Sequence, residues 1–246
     1  MIVVLASRFD TDAARLVDRW RGRGASLLTC EGLSRCGWIH DGAAAEQSVA
    51  VVDGRATPVQ SIRGVVTRLS GVSEAELPHI APDERAYVAC EMTAFLVAWL
   101  SSLPCRVLNR PTPLNLTGPS WRPEQWSRAA VHAGLSIRPA RRVARSFLDA
   151  AEVPAGDPAL TDVLERPAVS VTLVHARCFS DAAGLPLDDA VVAGVRRVAA
   201  AAGVELLTAT VVPDACRPTF VGATPWVDVT RADVADALLA RIEATS

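Results

Sequence analysis

The opening segment constrains the fold of this chain more than any other part of the sequence. Ile2 to Ala6 form an unbroken apolar run, which is typical of a strand buried on both faces. The apolar residues that follow recur at helical spacing, namely Ala13, Leu16, Val17 and Trp20. Residues 25–29 then provide a second apolar run. A strand, a helix and a strand in this order predict a parallel sheet with a right-handed crossover.

The rest of the chain continues to alternate between strands and helices. A hairpin is predicted at residues 48–59, because Asp53 and Gly54 separate two strand-like runs. Other strands are predicted at residues 64–68, 106–108, 169–174, 177–179, 205–212 and 219–221. Helices are predicted at residues 83–100, 122–133 and 191–202, with a last helix that Thr230 is expected to cap.

The predicted fold class is α/β, with a parallel-sheet N-terminal lobe and a C-terminal α+β lobe. The segment from Asn109 to Pro123 is rich in Pro, Asn, Thr and Gly, which favours a loop at the lobe boundary. We therefore predict lobes at residues 1–120 and 121–246, with a surface connector near residues 150–168. The helix at residues 83–100 is expected to be largely buried, through its apolar residues Ala86, Tyr87, Cys90, Ala94, Ala98 and Trp99.

Charge and composition indicate which partners to expect. The formal net charge is −2 and the arginines are scattered, so neither a nucleic acid nor a membrane is an expected partner. The sequence has no apolar stretch long enough to span a bilayer and no secretory signal, which predicts a cytoplasmic protein. The six cysteines include no C-x-x-C pair, which favours free thiols over metal ligation.

The chain contains no lysine, and all 25 of its basic residues are arginines. Any mechanism that requires a lysine ammonium or a lysine Schiff base is therefore excluded. The sequence also lacks G-x-G-x-x-G, P-loop, G-x-S-x-G and H-E-x-x-H motifs, so no motif nominates a nucleophile or a metal site. We accordingly predict no catalytic residue, no metal ligand and no cofactor.

Three phrases in the first 144 residues, taken in order, resemble a known family. They are VVTRLSG at residues 65–71, DERAYVACEMTAFLVAWLSSLPCRVLNRP at residues 83–111 and WSRAAVHAGLSIRPARRVA at residues 126–144. Together they resemble the N-terminal part of RimK-like ATP-grasp ligases, especially those that crosslink ribosomal peptides. The residues at the family's positions are Arg68, Glu84, Arg85, Glu91 and Asn109. The resemblance implies the ATP-grasp fold and a part in peptide modification.

The C-terminal third resembles the same family but lacks its chemistry. The resemblance places the family's metal-binding Asp near residues 208–210, its Glu at Gly222 and its Asn at Thr224. Its first phosphate-binding lysine falls near residues 121–125, where Arg122 would be only a partial substitute. The space between residues 145 and 169 is too short for the family's lid. The resemblance therefore implies a shortened ligase fold that has lost its ATP and magnesium site.

The sequence allows more than one role for several polar and aromatic residues. Arg68, Glu84, Arg85 and Glu91 are predicted either to line a charged cleft at the carboxyl ends of the strands or to form a surface ion-pair network, and we favour the network. Three tryptophans are expected either to line a pocket or to belong to the core, which we favour, namely Trp121, Trp126 and Trp226. Cys178 and Cys216 are the two candidates for a reactive thiol.

We predict a non-catalytic protein that binds a peptide, a partner enzyme or a small-molecule ligand in the biosynthesis of a natural product. Candidate ligand-binding residues are Arg68, Glu84, Arg85, Glu91, Asn109, Arg122, Arg177 and Trp226. One alternative is an enzyme that has acquired a different reaction on the same scaffold, or a divergent ATP-dependent ligase. That ligase would use Arg122, Arg177 or Arg217 together with Asp214 or Asp228. Another alternative is a homodimer or larger homo-oligomer with a structural role.

Overall fold

A computed structural model of the protein describes residues 1–137, 168–182, 188–213 and 218–244. In chain order the described elements are β1 Ile2–Ala6, α1 Thr11–Arg19, β2 Ala25–Leu28, α2 Cys30–Leu33, β3 Val49–Val52, β4 Arg55–Pro58, β5 Gly64–Arg68, α3 Arg85–Ser102, β6 Arg106–Leu108, α4 Pro123–His132, β7 Ser136–Ile137, β8 Val169–Val174, β9 Arg177–Ser180, α5 Asp189–Ala202, β10 Leu206–Val212, β11 Thr219–Thr224 and α6 Ala232–Glu243. The predicted connector near 150–168 lies outside the described residues except for residue 168.

The N-terminal sheet is parallel, with the strand order β2-β1-β5-β6. This confirms the β-α-β unit predicted from the opening residues. Asp10 caps α1 by accepting a hydrogen bond from the Ala13 amide at 2.9 Å. The predicted hairpin is also present, as β3 paired antiparallel with β4, with Asp53 and Gly54 both at positive φ in its turn.

The C-terminal sheet is mixed, with the strand order β7-β11-β10-β8-β9. β11 pairs with β10, β10 with β8 and β8 with β9, all antiparallel, while the short β7 runs parallel to β11. One face of this sheet packs against α4 and α5 through Leu207, Ala209, Val211 and Phe220. The combination of a parallel sheet and a second mixed sheet confirms the predicted α/β fold class.

Helix α6 connects the two sheets. Its buried residues Val234, Leu238 and Ile242 lie in one hydrophobic cluster with Val4 of β1 and Leu206 of β10. The packing on β5 is close, since a Cβ atom added at Gly64 would lie 2.6 Å from Ile242 Cγ2. None of the described helices has the length and apolar character needed to cross a bilayer.

Two predictions about helices need correction. Of the residues predicted to be buried in α3, Trp99 is 1% exposed, whereas Ala86, Tyr87, Cys90, Ala94 and Ala98 lie on the exposed side, and Tyr87 is 70% exposed. Apolar residues lie on all sides of α3, so periodicity did not indicate which face is buried. Thr230 does not cap α6, because its hydroxyl and amide both donate to Asp228 Oδ1, at 2.6 and 2.9 Å.

Candidate functional site

A row of three hydroxyl groups crosses the second face of the C-terminal sheet. Thr208 of β10 lies opposite Thr172 of β8 and opposite Thr224 of β11. Directly opposed residues in a sheet project to the same face, and the Thr172 and Thr208 hydroxyl oxygens are 3.3 Å apart. We call these three residues the hydroxyl row.

The next register position continues the same surface without adding a charge. Thr210 lies opposite Ser170 of β8 and opposite Gly222 of β11. The positions to which the resemblance assigned metal ligands therefore do face one another across two strands. They carry hydroxyls and a glycine, so this surface presents neutral oxygens in place of carboxylates.

A cleft of about 240 Å³ lies beside Thr224, at the carboxyl ends of β5 and β6. It is lined by the end of β11 with the turn that follows, by the loop after β6 and by the start of α4. Its residues are Ser70, Asn115, Thr117, Pro119, Ser120, Trp121, Trp126, Ala223, Thr224, Pro225 and Trp226. We call it the tryptophan cleft. Open α/β sheets place ligands at this edge.

The three tryptophans contribute differently to the cleft. Trp126 is 4% exposed and belongs to the core, as favoured from the sequence, yet its ring also reaches the cleft. Trp121 stacks on it at a tilt of 55°, with 4.7 Å between ring centroids. Trp226 is 40% exposed. The core interpretation favoured from the sequence is therefore right for Trp126 and wrong for Trp226, which lines the cleft at the surface.

The Arg68 side chain packs against the Trp226 ring. Its guanidinium lies 4.4 Å from the Trp226 ring centroid, and it donates to Asp10 Oδ2 at 2.8 Å and to the Val227 carbonyl at 3.0 Å. Arg68 is 6% exposed. Its ion-pair partner is thus Asp10, which the sequence analysis missed, although its position before α1 is a typical cap signal.

The other predicted acid and arginine residues of this region lie apart from Arg68. Glu84 and Glu91 are exposed at the start and along the outer side of α3. Arg85 donates to the carbonyls of Ile80 and Pro78, at 2.8 and 3.2 Å. Among the described residues no ion pair joins these three side chains to one another or to Arg68. Their part in ligand binding stays a prediction.

Asn109, which follows β6, forms hydrogen bonds that link the N-terminal sheet to the C-terminal sheet. It is 3% exposed, its amide nitrogen donates to the Leu206 and Pro225 carbonyls, and its oxygen accepts from the Glu205 and Leu206 amides. These four contacts, between 2.8 and 3.3 Å, use both ends of the carboxamide. Asn109 therefore positions the turn that carries Trp226.

Arg122 and Arg177 lie at the surface. The Arg122 amide donates to the Gln125 side chain at 2.8 Å at the start of α4, and its own side chain is exposed. The Arg177 guanidinium lies 5.1 Å from the centroid of the Phe179 ring on β9. Asp214 and Arg217 of the alternative ligase site, and Cys216, lie outside the described residues. Burial raises the pKa of the Cys178 thiol, which disfavours the reactive thiolate.

The structure contains a second cleft, of about 330 Å³. Charged side chains that line it form ion pairs and hydrogen bonds within the protein. Arg241 donates to both carboxylate oxygens of Glu205, at 2.5 and 2.8 Å, and this pairing lowers the pKa of Glu205. Arg106 donates to the carbonyls of Arg241 and Ala244 at the end of α6. These contacts fix α6 against β10, so we place the candidate site at the hydroxyl row and the tryptophan cleft.

Solved structures resemble this fold along its whole length. The macrocyclase MdnC from Microcystis aeruginosa MRC, bound with precursor peptide MdnA, matches with a TM-score of 0.65 and 11% identity over 100% of both chains. The ATP-grasp ligase PsnB, complexed with a phosphomimetic variant of its minimal precursor, Mg and ADP, matches with 0.65 and 14% over 98% of both. This chain has the fold of ATP-grasp ligases.

A RimK domain ATP-grasp protein from Sphaerobacter thermophilus DSM 20745 shares this ATP-grasp fold, with a TM-score of 0.51 and 16% identity over 98% of this chain and 99% of the other. No protein-family model and no curated protein matches the sequence. The resemblance predicted from three sequence phrases is therefore confirmed at the level of the fold.

The residues at the hydroxyl row do not fit the Mg-ATP that an ATP-grasp fold implies. Mg²⁺ is bound in proteins mainly through carboxylates and phosphates, at close to octahedral geometry. Among the described residues, no group of three or more His, Cys, Asp or Glu side chains is placed to hold a metal ion. The row offers three neutral hydroxyls, which supply neither an anionic ligand for the ion nor a cation for the triphosphate.

Proposed function

We propose that this chain is a catalytically degenerate ATP-grasp-like protein that acts by binding, as an accessory or partner subunit in the biosynthesis of a modified peptide. The observation that carries the proposal is the hydroxyl row with its neighbours: Thr208, Thr210, Gly222 and Thr224 face one another and include no carboxylate. Phosphoryl transfer depends on metal ions and cations that neutralise the developing charge. A surface without these groups does not supply that stabilisation.

The peptide part of the proposal is supported by the proteins that share the fold. MdnC was solved with its precursor peptide, and PsnB with a precursor variant. A chain that keeps such a scaffold and loses the phosphate chemistry retains surfaces suited to a peptide or to a partner ligase. A small-molecule ligand in a related pathway is the other occupant compatible with this scaffold.

Calorimetric titration of the whole chain with ATP tests the proposal, with and without 10-fold excess Mg²⁺ over nucleotide. We expect no heat of binding at ATP concentrations up to about 1 mM, which corresponds to an affinity weaker than about 4 kcal/mol. An active ATP-grasp ligase in the same buffer serves as the positive control. Micromolar, magnesium-dependent affinity would contradict the proposal.

Phosphate release distinguishes the alternative of a divergent ligase. The chain is mixed with ATP, Mg²⁺, a carboxylate-containing peptide and an amine, and inorganic phosphate is measured over time. We expect release at the rate of the protein-free control. Release that depends on both the peptide and the amine would favour the ligase.

A further inference from the structure

We propose that the tryptophan cleft binds one uncharged aromatic side chain of a partner peptide. The proposal rests on the proposed function, because it specifies which part of a peptide a binding protein of this fold would hold. Four properties of the cleft support it: a rigid aromatic platform, a second aromatic wall, an uncharged lining and a small volume.

The platform is Trp226, whose ring is fixed before any ligand arrives. One side of the ring rests on the Arg68 guanidinium at 4.4 Å, and Arg68 is held in turn by Asp10 and the Val227 carbonyl. Trp226 is nevertheless 40% exposed, and it lines the cleft. An aromatic surface held in one orientation loses little conformational entropy when a second ring stacks on it.

The second wall comes from a different part of the chain. Trp121 lines the cleft from the start of α4 and packs on the buried Trp126, with 4.7 Å between the centroids. Trp226 and Trp121 therefore reach the cleft from segments about 100 residues apart in sequence. Two aromatic side chains in one cleft lining favour a flat or bulky apolar group, because such a group buries apolar surface against them.

The lining selects against charge. Every lining residue is uncharged, and the Arg68 charge behind Trp226 is matched by Asp10 at 2.8 Å. A phosphate or carboxylate entering the cleft would lose its hydration without meeting a cation. The polar groups instead suit a neutral ligand with a polar edge. Asn115 Oδ1 already accepts from the Thr117 amide and hydroxyl at 2.8 Å, which leaves the Asn115 amide hydrogens for a ligand oxygen.

The volume favours one side chain over a complete small molecule. The cleft measures about 240 Å³, whereas pockets for drug-sized ligands span roughly 300 to 1,000 Å³. A nucleotide does not fit these limits of size and charge. A tyrosine side chain satisfies all four properties, since it combines a flat ring with a neutral hydroxyl at its edge.

The test is a ligand-observed NMR titration of the full chain with N-acetyl-L-tyrosinamide. The comparison probes are its O-phosphorylated form, which replaces the neutral hydroxyl with a larger, charged phosphate, and adenosine, which is a neutral nucleoside. We expect a dissociation constant on the order of 1 mM for the tyrosinamide. We expect at least tenfold weaker binding of the phosphorylated probe and of adenosine.

Three variants locate the binding. Trp226→Ala should weaken tyrosinamide binding at least tenfold, while Tyr87→Ala, which removes another exposed aromatic residue away from the cleft lining, should leave it unchanged. Trp226→Phe keeps a ring on Arg68 and guards against misfolding of the alanine variant, and it should bind two- to fivefold more weakly than the original chain.

The outcomes separate this inference from the proposed function. Absence of tyrosinamide binding, or binding that Trp226→Ala does not change, overturns the aromatic site and leaves the ATP titration to decide on degeneracy. Tighter binding of adenosine identifies a nucleoside site and overturns the peptide side chain as occupant. Tighter binding of the phosphorylated probe contradicts the selection against charge.

Discussion

At the scale of single residues, Arg68 and Asp10 join three segments of the chain. The two side chains are 6% and 12% exposed and form an ion pair between residues 58 positions apart. Arg68 reaches a third segment through Val227 and Trp226. The pair therefore fixes the end of β5, the start of α1 and the turn after β11 at one point.

Asp10→Ala should be strongly destabilising because it leaves the Arg68 charge buried without a partner and removes the cap of α1. We expect the free energy of unfolding in urea to fall by about 3 to 5 kcal/mol. Asp12→Ala is the control, since Asp12 pairs with Arg15 at 3.4 Å while both side chains are at least 40% exposed. That variant should lose less than about 1 kcal/mol. Equal losses would contradict a structural role for the buried pair.

At the scale of elements, α5 packs closely against the segment that follows α4, and both cover the C-terminal sheet. Gly194 lies in the middle of this helix, and a Cβ atom added there would meet Leu135 Cδ2 at 2.4 Å and Leu135 Cγ at 2.6 Å. Leu135 follows α4, so the glycine allows the segment after α4 to approach α5. A helix normally disfavours glycine, and here close packing outweighs that preference.

Gly194→Ala should lower the free energy of unfolding by about 1 kcal/mol, because overpacking costs about 1 to 3 kcal/mol and the gain in helix propensity returns about 1 kcal/mol. In the background of Leu135→Ala the same substitution should instead stabilise the chain by about 1 kcal/mol. Gly22→Ala is the control, since no heavy atom lies within 4 Å of its added Cβ. A loss of equal size in both backgrounds would show that Leu135 is not the cause.

At the scale of the whole molecule, the lobes predicted at residues 1–120 and 121–246 share one hydrophobic cluster. It contains Ile2, Val4 and Leu16 from the first lobe, and Leu206 and Leu238 from the second. Asn109 adds hydrogen bonds between the same two parts. We therefore expect the two lobes to unfold together.

Leu238→Ala tests this cooperativity, because Leu238 is fully buried in the shared cluster. The free energy of unfolding should fall by about 2 to 5 kcal/mol. Far-ultraviolet circular dichroism and tryptophan fluorescence should still report one coincident transition. Leu114→Ala, at a position 85% exposed, should stay within about 0.5 kcal/mol of the original chain. Two separate transitions would contradict the shared core and support independent lobes.

Local pattern in the sequence determined most of the helices and strands, the parallel opening sheet, the hairpin at Asp53 and Gly54, and the order of phrases that indicates an ATP-grasp fold. The lack of lysine and of acids at Gly222 and Thr224 can also be read directly from the sequence. These features depend on near neighbours or on residue identity, which periodicity and composition report well.

Only the tertiary structure decided which distant residues meet. It paired Arg68 with Asp10, assembled Trp121 and Trp226 into one cleft, and exposed the face of α3 that carries Tyr87. Long-range contacts follow from how elements pack, and a helix that is apolar on all sides gives no signal for the face it will bury. The sequence therefore indicates which residue types occupy each element, and the packing of the two sheets decides which of them lie side by side.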